Sequence, residues 1–74
     1  MAIEYGAKVI DANGEVLGTV DYLIRDTLTG EIRKFVVRRK APEHDLFISP
    51  DGVQHSTGSE IRLNVSFGEL SWEV

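Results

Sequence analysis

Cysteine is absent from this chain, and its 74 residues include only two prolines and one methionine. Without cysteine there is no disulfide staple, no thiolate zinc site and no cysteine nucleophile. Long apolar runs are missing too. The longest are three or four residues, far short of the roughly 20 that a membrane-spanning helix needs. The opening stretch, MAIEYGAKVI, lacks the basic region and long apolar core of a secretory signal, so a soluble, cytoplasmic protein is expected. Positive charge is scarce: eight Lys and Arg stand against twelve Asp and Glu, a net charge of −4. That balance disfavours a general attraction to anionic membrane surfaces.

What is present is an ordinary globular composition, 42% hydrophobic and 27% charged. Disorder needs fewer apolar residues and more net charge. The length allows a single domain, 1–74, with a small core. The scarce basic residues are concentrated. Five of the eight, Arg33, Lys34, Arg38, Arg39 and Lys40, fall in a window that carries +5, which leaves −9 for the rest of the chain.

The pattern along the chain is that of short strands separated by turn signals. Residues 7–11 form a strand candidate, followed by Asn13-Gly14, a dipeptide suited to a type I′ hairpin because both residues tolerate φ > 0. The next strand, 16–26, places Val16, Val20, Tyr22 and Ile24 on one parity, read as inward, and Thr19, Asp21 and Arg25 on the other. Gly18 lies in the inward series with no side chain, which marks a bend or a close backbone approach. A turn over 27–31 with Gly30 in the left-handed region leads to a strand over 32–40. There Ile32 and the pair Phe35, Val37 differ in parity. A bulge near Arg33-Lys34 is the preferred explanation; the alternative covers both faces, with Val36 on the second.

Beyond a loop around Pro42, a short strand spans 46–49 and a turn follows over 49–52. Val53 is expected in a single helical turn. Ile61, Leu63 and Val65 alternate along a last strand. Ser66 then caps a short terminal helix, with Glu69 at the capping-box position. Many short strands with turns between them indicate an all-β barrel or sandwich.

Two segments carry a family likeness. "AKVIDANGEVLGTVDYLIRDTLTGEIRKFVVRR" presents in order an apolar strand, an Asp-x-x-Gly turn, x-x-Gly-x-Val, a strand ending in Asp, Thr-Gly-Glu and a second apolar strand. "LFISP…V…EIRLNVS" adds an apolar strand meeting a proline and a closing strand. Over roughly 6–66 the chain resembles the PRC-barrel domain. The resemblance implies a small, mostly antiparallel β-barrel with a short C-terminal helical turn, used for contact and not for chemistry. Relatives include the cytoplasmic domain of the photosynthetic reaction centre H subunit and the C-terminal domain of a ribosome-maturation factor. This chain is expected to have neither the membrane anchor of the first nor the RNA-facing domain of the second, and fold alone does not settle function.

Candidate chemistry is thin. Asp11, Asn13 and Glu15 alternate like the start of a calcium loop, but such a loop needs Gly at its sixth position and Glu at its twelfth. Val16 and Tyr22 stand there, so a hairpin turn is the reading. His44 beside Asp45, and His55 beside Ser56, lack the partners of a triad or a zinc site. No catalytic residue, cofactor or metal site is expected.

Two surfaces stand out. The stretch 33–40, with Arg33, Lys34, Arg38, Arg39 and Lys40, is either an RNA-contacting strand or a charged outer face that guards against edge aggregation. Tyr5, Phe67, Leu70 and Trp72 gather near the termini. There Phe67 and Leu70 plug a barrel mouth, and Trp72 suits an interface, including that of a homodimer. The leading expectation is a non-enzymatic protein-interaction or assembly module with an unidentified protein partner. The alternative is an RNA- or ribosome-associated factor using the basic strand.

Overall fold

The computed structural model describes residues 3–70. It is all-β: β1 (Lys8–Ile10), β2 (Val16–Arg25), β3 (Ile32–Arg38), β4 (Leu46–Ile48), β5 (Val53–Ser56) and β6 (Glu60–Leu63), with single 3-10 turns at Pro50–Gly52 and Phe67–Glu69. The sheet order is β4-β3-β2-β1-β6-β5. The β1–β6 ladder is parallel and the other four are antiparallel, so the sheet is mixed. Among the described residues no helix is long and apolar enough to cross a membrane.

Connectivity forces the sheet to curl. β4 and β5 are its two edges, yet only four residues separate Ile48 from Val53. Laid flat, six strands would hold their edges about 24 Å apart at roughly 4.8 Å per spacing. The short connection reaches at most about 18 Å. The sheet therefore rolls into a half-barrel around a core of Val9, Leu17, Val20, Phe35, Val37, Leu46, Ile48, Ile61 and Leu63, with Ile3 and Ala7 at its rim.

Bulges decide which residues reach that core. In β2, Ile10 pairs with Val16 whereas Val9 pairs with Gly18, so Leu17 is an extra residue. Asp21 is a second extra residue, between the Val20–Val37 and Tyr22–Val36 pairs. Each bulge flips the parity. Leu17 and Val20 are buried, and Leu23 packs on the core. The simple alternation expected for β2 fails on either side of Val20: Val16 is 56% exposed and Tyr22 46% exposed. β3 has its own bulge at Arg33, since Ile24 pairs with Lys34 and Arg25 with Ile32. Both faces of β3 are nevertheless covered, because Phe35, Val36 and Val37 are all buried. The two readings of this strand hold together.

Turn chemistry differs from expectation at one hairpin and agrees at the other. Gly14 has φ 85°, but among the described residues no non-glycine has positive φ, so Asn13-Gly14 is not a type I′ turn. The Gly14 N–H instead bonds the Asp11 carbonyl at 3.0 Å, and the Asp11 N–H bonds the Glu15 carbonyl at 2.9 Å. This is a three-residue loop closed by a left-handed glycine. At the second hairpin Gly30 has φ 76° as expected. Val53 opens β5 and is not part of a helical turn. The C-terminal helix reduces to the 3-10 turn Phe67–Glu69, although Glu69 does reach back to the Ser66 N–H at 3.3 Å and hydroxyl at 2.9 Å.

Candidate interaction surface

The five basic residues of the 33–40 window do not form one cationic face. The Arg33 guanidinium meets the Asp26 carboxylate at 3.1 Å, and Arg38 meets Asp21 at 3.3 Å. Arg39 turns back onto the domain. Its Nη1 lies 3.2 Å from a Glu43 carboxylate oxygen, its Nε donates to the Leu17 carbonyl at 3.3 Å, and its Cζ sits 4.6 Å from the centre of the Phe67 ring. Lys34 lines a groove beside β4, and Lys40 is exposed beyond the end of β3. At least three of the five positive charges thus have carboxylate partners, which weakens the field that would draw a phosphate backbone.

Arg39 is a structural latch. Its side chain is 14% exposed, so its cation–π contact and hydrogen bonds are only partly screened. Arg39→Ala is expected to cost about 1–2 kcal/mol. Arg33→Ala, at an exposed pair, is expected to stay within about 0.5 kcal/mol. Urea unfolding of the two variants measures the contrast, and equal losses would remove the latch assignment.

The latch works beside a second tether, on Asp11, which is buried. One carboxylate oxygen accepts the N–H groups of Asn13 at 2.9 Å and Glu15 at 2.8 Å; the other accepts the Phe67 N–H at 2.9 Å. Burial pushes this carboxyl up. The three donors, helped by the Arg62 guanidinium, outweigh burial and hold it below its ordinary 3.8. Asp26 plays a similar part in the second hairpin, accepting from Leu28 and Thr29 at 2.8 and 3.0 Å. Those donors likewise hold its carboxyl low. The residues that faintly suggested a calcium loop therefore organise a turn and pin the C-terminal segment, so that Phe67 and Leu70 pack against the core.

The outer face of β2, β3 and β4 carries an apolar row. Tyr22 pairs with Val36, and Val36 with Phe47. Both aromatics are more than 40% exposed, whereas Val36 between them is 1% exposed. Ile24, half-buried, sits two residues along β2 from Tyr22. Sequence reasoning missed this row because the Asp21 bulge turned Tyr22 outward. Phe47 carried a legible signal, since it alternates with Leu46 and Ile48.

The row ends at β4, whose only strand partner among the described residues is β3. Along β4 lies a groove of about 250 Å³ lined by Lys34, Phe47, Ile48, Ser49, Gly52, Val65, Glu69 and Leu70. His44 and His55 are exposed, and among the described residues no three His, Asp or Glu stand together as a metal site. Trp72, expected at an interface, lies outside the described residues.

A curled six-stranded sheet with an open edge, an apolar outer row and tethered turns defines a small β-barrel module. Residues 5–70 match the family model of the PRC-barrel domain, and the chain belongs to that family. No curated protein matches it closely enough to be counted a relative.

Proposed function

We propose that this domain is a non-enzymatic protein-interaction module that docks through the β4 side of its half-barrel. The observation that carries the reading is the Tyr22–Val36–Phe47 row, which holds two aromatic side chains in solvent and leads to a strand edge that has no partner among the described residues. Aromatics are enriched where binding energy concentrates, and an unprotected edge is a template for a further strand. The ion pairs of Arg33, Arg38 and Arg39 favour protein over nucleic acid as the partner.

Tagged protein is expected to retain the same defined proteins from its source lysate with and without nuclease, and at moderate salt. The double variant Tyr22→Asp, Phe47→Asp is expected to lose them at least tenfold. Arg38→Glu with Lys40→Glu should change capture less than twofold. Capture that vanishes with nuclease, salt and the charge reversals instead moves the reading to an RNA- or ribosome-associated factor.

A further inference from the structure

We propose that residues 65–70 form a strap that opens as a unit while the six-stranded sheet stays folded. The chain leaves the sheet at Leu63, the last residue of β6. Asn64 anchors the exit: its N–H bonds the Gly52 carbonyl at 2.8 Å and its Nδ2 the Asp51 carbonyl at 3.4 Å. The hinge follows it. Among the described residues no strand comes after β6, so individual groups hold the strap in place of a ladder.

Two parts of the fold supply those groups. The first hairpin contributes Asp11, whose Oδ2 accepts the Phe67 N–H at 2.9 Å, and Ala12, whose N–H bonds the Val65 carbonyl at 2.9 Å. Just past β3, the Cζ of Arg39 lies 4.6 Å from the centre of the Phe67 ring. Both grips thus converge on Phe67. Within the strap the bonds are local. The Glu69 N–H donates to the Ser66 carbonyl at 3.0 Å, the Leu70 N–H to the Phe67 carbonyl at 3.2 Å, and Glu69 Oε1 accepts from the Ser66 N–H and hydroxyl. These bonds survive opening, so the segment lifts in one piece.

Opening parts Phe67 and Leu70 from the core, and both are only half-buried when closed. It also removes Val65, Glu69 and Leu70, one wall of the groove beside β4. The surface released is small beside that of global unfolding, and segments of this kind open at a lower free energy than the core. The strap therefore sets the width of the groove. It stands apart from the docking reading, whose test does not involve it.

Amide hydrogen exchange of the full chain, followed by NMR in rising sub-denaturing urea, tests the strap. The Phe67 and Ala12 amides report it. The amide of buried Val20, bonded to the Ala7 carbonyl at 2.9 Å, reports the sheet. Phe67 and Ala12 are expected to exchange about tenfold or more faster than Val20, with a flatter urea slope, because the slope scales with the surface exposed. Substitutions separate the two openings further. Phe35→Leu and Val37→Ala, at buried positions, weaken the sheet in the closed and opened forms alike. They should speed Val20 about tenfold yet leave Phe67 and Ala12 within about twofold. The Phe67 ring acts only in the closed form, so Phe67→Leu should speed the amides of Ala12 and Val20 by one common factor of about threefold or more.

Equal rates and urea slopes for the three amides of the unsubstituted chain would overturn the proposal. So would core variants that speed Phe67 and Ala12 as much as Val20, or a Phe67→Leu variant that leaves Ala12 unchanged. The slopes of the unsubstituted chain decide even where a core variant does not fold.

Discussion

Gly18→Ala is expected to lower the melting temperature by roughly 15 °C or more, the largest effect of any single methyl group added to this domain. A Cβ at position 18 would collide with the Arg38 carbonyl oxygen and press on Val37. Both obstacles belong to β3, whose backbone is fixed by its ladders to β2 and β4, so neither can yield cheaply. Forcing extra volume into such a site costs on the order of 3 kcal/mol. A chain of this size has only about 4–11 kcal/mol to lose, and each kcal/mol moves the midpoint by about 4–8 °C. Two other glycines provide controls. At Gly68 a Cβ meets nothing within 4 Å, and at Gly58 it meets the end of the flexible Glu4 side chain. Alanine at either position should move the midpoint by less than about 3 °C. Calorimetry on the three variants decides the matter. A Gly18→Ala protein that melts with the controls would mean β3 does not pass close over β2.

Asp11→Ala is expected to lower the melting temperature on the order of 10 °C, because it orphans three N–H donors at once. The Asn13 and Glu15 N–H groups lose the acceptor that shapes the first hairpin, and the Phe67 N–H loses its tether. The same carboxylate governs acid stability. In the folded state Asp11 and Asp26 both have pKa values held below 3.8, whereas an unfolded Asp titrates near 3.9. Between those values the unfolded chain binds more protons, so stability rises with pH there. The stabilising contribution is fully present above the unfolded value and is lost as pH falls through the folded values. Urea midpoints are expected to be flat from pH 7 to 5 and to drop below pH 4. Asp11→Asn should be less stable at pH 7 and show a shallower drop. A variant with the wild-type pH profile would exclude Asp11 from the acid transition.

The order of elements was legible in the residues because turn signals punctuate the chain: Asn13-Gly14, Thr29-Gly30 and Ser49-Pro50 each fall between strands. Gly18 was legible as a close approach, since a glycine inside a run of β-branched residues has no local reason to be there. Tyr22 was not. Its parity follows from the Asp21 bulge, which is a property of the β2–β3 ladder and leaves no mark in β2 alone. Asp11 looked like a turn residue, as it is. Its bond to Phe67, 56 positions away, has no local signature, and neither do the ion pairs that neutralise Arg33 and Arg38.

The amino-acid sequence alone therefore determined that the chain is a small all-β domain of the PRC-barrel family, where its hairpins turn, and where its positive charge concentrates. These are local properties: a turn residue or an alternating run acts within a few positions of itself. Only the tertiary structure decided which side chains face the core, which charges find partners, and where the sheet stays open. Those outcomes depend on register and curl. A short connection between the two sheet edges and single-residue bulges set both, through contacts between residues far apart in the chain.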